Sequence, residues 1–286
     1  MFLGAIILGV LLLITNLLQL TLPLWVPVVV LIASLGLAGI GLIQSRYIAT
    51  KEYSVTLPNA PASWNGKTAV LVTDTHFGLV NYKKFSNKVV DKIIAIHPDF
   101  VLHAGDFYDG PTIATTPITD SWKRLTATAP VFFAPGNHEE YGDYSAFLTS
   151  ISAAGVTVVD DKKVEYDGVQ IAGITYRAGK ENVSATQAIE HLSIDPTIAS
   201  ILINHPPTSV NAAANAGISL MVSGHTHNGQ FWPNQYLVRK IYGIFAYGLN
   251  NFNDMQVLTS SGVGTFGPPF RTFNTPEVVV INFKVK

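Results

Sequence analysis

The sequence predicts an α/β domain preceded by a transmembrane helical hairpin, and three observations predict it. From Lys67 onward, short β-branched runs alternate with stretches of helical period. Residues 2–22 and 24–43, near the N-terminus, are apolar runs without a formal charge. Five of the later apolar runs (TAVLVT, FVLHA, VFFAP, SILI and SLMVS) close on turns bearing Asp, His or Asn. Short apolar runs closed by turn residues read as buried strands. Five strand ends that offer such side chains to one place make a metal site.

Each N-terminal run is close to the roughly 20 residues that cross a hydrocarbon core. Pro23 lies between them, with Trp25 and Pro27 soon after, which suits a tight turn at a membrane interface. A transmembrane hairpin over residues 1–45 is the first reading. A cleaved signal peptide is an alternative, although no basic segment precedes the run and no small-residue cleavage pattern is clear. A single span followed by an interfacial segment is another. A hairpin puts both flanks on one side of the membrane. Arg46 and Lys51, after the second run, then favour a cell-membrane protein with its C-terminal domain on the cytoplasmic face.

Residues 46–66 read as a connector with a first strand, YSVTL, and residues 67–286 as one catalytic domain. Within it, Phe85, Val89, Val90, Ile93 and Ile94 keep a helical period between Tyr82 and Ile96. A second helix is expected from Ser145 to Ala154, and shorter ones over Ala185–Leu192 and Ser209–Asn215. KKVEY and VQIAGI, joined at Asp167-Gly168, read as a hairpin. QVLTSSG and EVVVINFKV supply late strands.

Composition narrows the chemistry. Net charge is −1 over 286 residues, and with no basic stripe the chain is not a nucleic-acid binder held by general positive charge. Charged residues are 13% of the chain, against about 25% in soluble domains, and mean hydropathy is +0.30; part of the chain is suited to lipid. There is no cysteine, so thiolate ligands and cysteine nucleophiles are excluded. Any metal must be held by His, Asp, Glu or Asn.

The runs at the strand ends are Asp74-Thr75-His76, Gly105-Asp106, Gly136-Asn137-His138-Glu139, Asn204-His205 and Gly224-His225-Thr226-His227. On a strand, residues two apart face the same way, so Asp74 and His76 can reach one ion. His225 and His227 share that spacing, although a turn after Gly224 can aim them at different ions. Asp106 has two oxygens that can bridge two cations. With Asn137 and His205 the set is mixed nitrogen and oxygen, suited to Mn, Fe, Zn or Co and poor for Ca. His97, His103 and His191 lie outside these runs and read as ordinary structural histidines.

Taken in order, these runs resemble the calcineurin-like metallophosphoesterase superfamily from about Lys67 to the C-terminus. The resemblance implies a four-layer α/β/β/α sandwich with a two-metal site at the strand ends. It implies that Asp74, His76, Asp106 and His227 hold one divalent ion. Asp106, Asn137, His205 and His225 would hold the other, with Asp106 shared. His138 would contact the scissile phosphate and assist the leaving oxygen, while a hydroxide between the metals attacks phosphorus in line.

Two departures narrow the resemblance. The run Gly105-Asp106-Phe107-Tyr108-Asp109-Gly110 lacks the Asp-Arg-Gly continuation of protein Ser/Thr phosphatases. The tail is similar to a membrane-associated bacterial phosphodiesterase branch, which includes enzymes like the UDP-diacylglucosamine pyrophosphatase, but Asn228 stands where that branch usually has glycine. The implied activity is phosphodiesterase or pyrophosphatase action on a lipid-linked or nucleotide-linked substrate. Alternatives are a tethered enzyme for a soluble substrate and a non-catalytic scaffold.

Three further features leave two readings each. Residues 231–245 are either a lid that enters the headgroup region or an aromatic-rich loop packing on its own domain. Arg271 either contacts substrate phosphate or pairs with a carboxylate. Asp109 either orients His138 or caps a turn.

Overall fold

The protein was analysed as a computed structural model, which describes residues 2–19, 21, 23, 25–110, 115–176 and 184–285. Two apolar helices come first, α1 (Phe2–Leu17) and α2 (Trp25–Gln44). At about 1.5 Å per residue α1 is roughly 24 Å long, short of a hydrocarbon core of about 30 Å. Among the described residues, Trp25–Gln44 is the one helix long and apolar enough to cross a membrane by length and composition, and 6% of its most apolar 18-residue window is buried. The expected turn between the two runs includes residues 20, 22 and 24, which lie outside the described residues.

Only residues 45–48 separate α2 from β1 (Ala49–Leu57). Lys51 therefore belongs to a strand, and Arg46 is the one basic residue on the link. There follow β2 (Thr68–Val72), α3 (Lys83–Ile96), β3 (Phe100–Ala104), α4 (Thr116–Thr126), β4 (Val131–Ala134), α5 (Tyr144–Ala153) and β5 (Thr157–Val158). The first sheet has the order β1, then β12 (Glu277–Val285), β2, β3, β4 and β5. All its pairings are parallel except β12 with β2.

The second sheet is built from β6 (Lys162–Tyr166), β7 (Val169–Ile174), β8 (Ser200–Asn204), β9 (Leu220–Ser223), β10 (Gly248–Phe252) and β11 (Met255–Thr259). Its order is β10-β11-β9-β8-β7-β6, parallel from β11 to β7 with an antiparallel strand at each edge. One of those edges is the hairpin expected at Asp167-Gly168. Helices α6 (Ala185–His191) and α7 (Val210–Asn215) lie within this half, and α8 (Asn234–Tyr242) follows β9.

Strand alternation distributes the core. In β2, Ala69 and Leu71 join a cluster with Ile201, Ile203, Val222 and Leu258 of the second sheet, so the sheets pack face to face. Val70 and Val72, between them, face Val90 and Ile93 of α3 and Trp122 of α4. In the second sheet, Leu202 and Met221 turn outward to Ile189 of α6 and Ala213 of α7. The layers thus run helices, sheet, sheet, helices. Strands buried on both faces read as unbroken apolar runs, which is how these stood out in the sequence. The parallel strands β2, β3, β4, β8 and β9 release their C-terminal ends along one edge of the sandwich, the usual place for a ligand in such sheets.

Candidate metal centre

The loops after those five strands bring all seven predicted ligands together. Asp74, His76 and His227 present ligand atoms within 4.8 Å of one another, as do Asp106, His205 and His225. Asn137 Oδ1 lies 2.9 Å from His225 Nδ1. Asp106 stands between the groups, its Oδ2 3.1 Å from His205 Nε2 and 3.7 Å from His76 Nε2. His225 and His227 fall into different groups, as a turn after Gly224 allows.

Backbone geometry departs from the strand reading of Asp74 and His76. β2 ends at Val72, and both residues lie beyond it with φ of 53° and 44°. Asp106, His225 and His227 are left-handed too, at 54°, 67° and 47°. Non-glycine residues there cost about 1–2 kcal/mol each, and such strain gathers where a site overrides local preference. Asn228, at φ 45°, occupies the same region, which asparagine enters more readily than most residues. Close approach matters as well. A Cβ on Gly224 would run into Thr73 and Asp74, and one on Gly136 into Asp106.

The site is buried and its hydrogen bonds orient the rings. His205 Nδ1 is 2.7 Å from the Ala104 carbonyl, so Nδ1 carries a proton and Nε2 is the nitrogen turned to Asp106. His76 Nδ1 lies 3.2 Å from Asp109 Oδ1. His138 Nδ1 is 3.1 Å from the Asp109 carbonyl and 3.6 Å from its carboxylate, and its Nε2 faces Asp106 Oδ2 at 4.0 Å. Asp109 thus serves two histidines rather than a turn alone.

Electrostatics follow from burial and crowding. Burial raises the Asp74 carboxyl, but the His227, His205 and His76 rings outweigh it and hold it well below the usual range. Asp106 is likewise depressed, burial being overcome chiefly by His205. Burial lowers His205, yet Asp106 and Asp74 lift it to about 9. His225 and His227 are pushed down to about 4, first by burial. Anionic carboxylates thus face imidazole nitrogens at 3–4 Å.

A divalent cation fits this donor set. His76 Nε2 and His227 Nε2 face each other at 3.0 Å, and His225 Nδ1 faces His205 Nε2 at 3.3 Å. Imidazole nitrogens converging beside ionised carboxylates are the mixed donor set that a divalent cation takes when it displaces their protons.

Two residues contribute in ways the sequence did not announce. Glu139 is fully buried; its Oε2 accepts from the backbone N–H of Asp106 and Gly136, and its Oε1 from Phe107 and Tyr108. It pins the β3 and β4 loops together. Its place at the end of Gly136-Asn137-His138-Glu139 was the available signal. Arg271 is also fully buried. Its Nη2 contacts the carbonyls of Ser261, Gly262 and Gly264 and lies 3.2 Å from His227 Nδ1. Neither role offered for Arg271 describes these contacts: the side chain is buried, its Nη2 donates to carbonyls rather than to a carboxylate, and its Nε and Nη1 have no hydrogen-bond partner among the described residues. His103 is buried with Thr75 Oγ1 3.3 Å from its Nε2, a structural place as expected.

Residues 67–229 match the profile of the calcineurin-like phosphoesterases. An uncharacterized metallophosphoesterase of Campylobacter jejuni is 28% identical over 240 residues, 82% of this chain and 63% of the relative. A transmembrane protein with a metallophosphoesterase domain from Danio rerio is 25% identical over 276 residues, 90% of this chain and 62% of the relative. The chain therefore spans about three-fifths of the length of these relatives. A solved structure from Thermus thermophilus overlays with a TM-score of 0.47 at 10% identity, covering 71% of this chain and 91% of that one.

Proposed function

We propose, from the premise that this chain belongs to the calcineurin-like phosphoesterase family, that it is a membrane-anchored, two-metal phosphodiesterase or pyrophosphatase acting on a lipid-linked or nucleotide-linked substrate. Metal-dependent phosphoester hydrolysis is the chemistry of its family and of its named relatives. The observation that carries the two-ion reading is the position of Asp106 between two groups of imidazoles.

In this reading Asp74, His76, Asp106 and His227 hold one ion, and Asp106, Asn137, His205 and His225 the other. Divalent ions there would polarise a phosphoryl oxygen and lower the pKa of a nearby water. Asp109 orients His76 and His138 through their Nδ1 atoms. His138 directs Nε2 into the site, where it can hand a proton to the leaving oxygen. Arg271 braces His227 from behind. A scaffold without activity would have no need of this set, and every predicted position keeps its side chain.

Residues 1–45 form the anchor, a hairpin in which α2 is the full-length span, and residues 46–66 join it to the hydrolase of residues 67–286. Arg46, on the link, favours the cytoplasmic face for that domain. The substrate class is tested by steady-state kinetics of the full-length protein on a detergent-dispersed lipid diphosphate and on a soluble diester. The expected result is a kcat/KM at least about tenfold higher for the lipid. The reverse preference would assign a soluble substrate to a tethered enzyme.

A further inference from the structure

We infer that the exposed stripe of α8 is a docking surface for an anionic bilayer, seating the mouth of the metal centre on the headgroups. This rests on reading α2 as a membrane span. Helix α8 has no buried residue. Leu237 and Ile241 stand four apart on the helix, Ile244 follows in the turn after it, and the three are 58%, 63% and 63% exposed. Scattered exposed leucines are ordinary, but three large exposed side chains on the helix and the turn that continues it call for a partner. Trp232 and Tyr236, also exposed, lead into it.

Two observations identify the partner as lipid. Arg239 and Lys240 are exposed on the same helix, and no acidic residue occurs from Phe231 to Asn253. An amphipathic helix with basic residues beside an apolar stripe suits an anionic membrane surface. The stripe is also tied to the end of α2. The segment from Phe266 to Thr275 receives α2: Ser45 Oγ donates to the Pro269 carbonyl at 2.7 Å, the Arg271 N–H to the Gly41 carbonyl at 3.1 Å, and Gln44 Nε2 to Thr275 Oγ1 at 3.2 Å. The Phe270 ring fills the space that a side chain at Gly41 would need. The same segment holds the start of α8, because the Trp232 N–H donates to Thr272 Oγ1 at 2.9 Å and Gln235 Nε2 to the Thr272 carbonyl at 3.1 Å.

That segment reaches the site as well. The Phe266 ring lies 5.2 Å from His227, and Tyr242, at the end of α8, lies 6.1 Å from His225. Span, stripe and metal centre are therefore fastened to one short loop. A bilayer that accepts α2 comes within reach of the stripe, and a phosphoester at its surface comes within reach of the site.

Two tryptophans separate the anchor from the docking surface. Trp64 and Trp122 are fully buried, whereas Trp25 on α2 and Trp232 beside α8 are exposed. Full-length protein is reconstituted into phosphatidylcholine–phosphatidylglycerol vesicles whose acyl chains are brominated near the glycerol. Trp25→Phe then reports Trp232, and Trp232→Phe reports Trp25. Quenching of both is the expected result. Replacing Leu237, Ile241 and Ile244 by serine in the Trp25→Phe protein should relieve the quenching of Trp232. In otherwise native protein the same triple change should lower hydrolysis of a vesicle-borne diester about tenfold and leave a soluble diester unchanged. Quenching of Trp25 without Trp232 would overturn the docking surface, keep the anchor and leave the stripe to a protein partner. Quenching of neither would overturn the anchor and the inference with it.

Discussion

His103 shows how much the site's surroundings ask of a single side chain. It is sealed among Phe107, Trp122 and Phe133, and burial pushes its folded-state pKa down to about 3, from the ordinary histidine value of 6.5. Between those values the unfolded chain takes up a proton that the folded protein refuses. Stability is therefore full above pH 6.5 and falls as pH drops toward 3, at up to about 1.4 kcal/mol per unit from this residue. His103→Phe removes that slope. Denaturant titrations of the metal-stripped protein should show the gap between variant and wild type moving by about 2 kcal/mol in favour of the variant from pH 7 to pH 5. Parallel profiles would mean that His103 is protonated in the folded state.

The seven candidate ligands and His138 were legible because each stands in a short run at the end of an apolar strand. Asp109 was legible as a residue that orients His138 or caps a turn, but its contact with His76 was not, and Glu139 was visible only as a letter. Asp109 meets His76 only because the loops after β2 and β3 converge, and Glu139 acts on N–H groups more than 30 residues earlier in the chain. Arg271 misled for a related reason, since nothing in its neighbours announces that it is buried.

At the scale of elements, the Glu139 carboxylate is the tie between two strand-end loops. Each oxygen takes two backbone donors, so an amide of the same shape can satisfy only one pair and turns its NH2 on the other. Glu139→Gln should cost about 1–3 kcal/mol of stability, read by chemical denaturation. A change below about 0.5 kcal/mol would show that water replaces the bond. The strands and most helices were legible from their period, and α3, α5 and α6 fall within a residue or two of expectation. The handed turns were not. Asp74 and His76 were expected on one strand face, and left-handed backbone beyond β2 brings them together instead. Residues 231–245 were read as a lid or an aromatic-rich loop with no helix assigned; the period of α8 was masked by flanking aromatics, and its exposed face became visible only in the fold.

Across the whole molecule, the parallel strands do the positioning. Two sheets packed face to face release five strand ends along one edge, and carboxylates and imidazoles distant in sequence meet there. The sheet order itself lay beyond sequence reading, because β1 pairs with β12 from the opposite end of the chain. The apolar helices were legible by composition, but their attachment was not. The contacts of Gly41 and Ser45 with residues 269–271 place the end of α2 on the loop that also supports the site. That attachment ties α2 to the candidate site rather than leaving it joined through the link alone.

The central claim is that two ions held around Asp106 hydrolyse a phosphoester with His138 assisting the leaving group. The most direct measurement is hydrolysis of a chromogenic phosphodiester and its monoester by metal-stripped full-length protein, titrated with Mn, Zn, Mg and Ca beside His138→Ala. The account predicts recovery with a transition metal at two ions per chain, preference for the diester, and a variant that binds both ions while kcat falls about 10²- to 10⁴-fold. Two bound ions without turnover of either ester, or a His138→Ala protein as active as wild type, would contradict it.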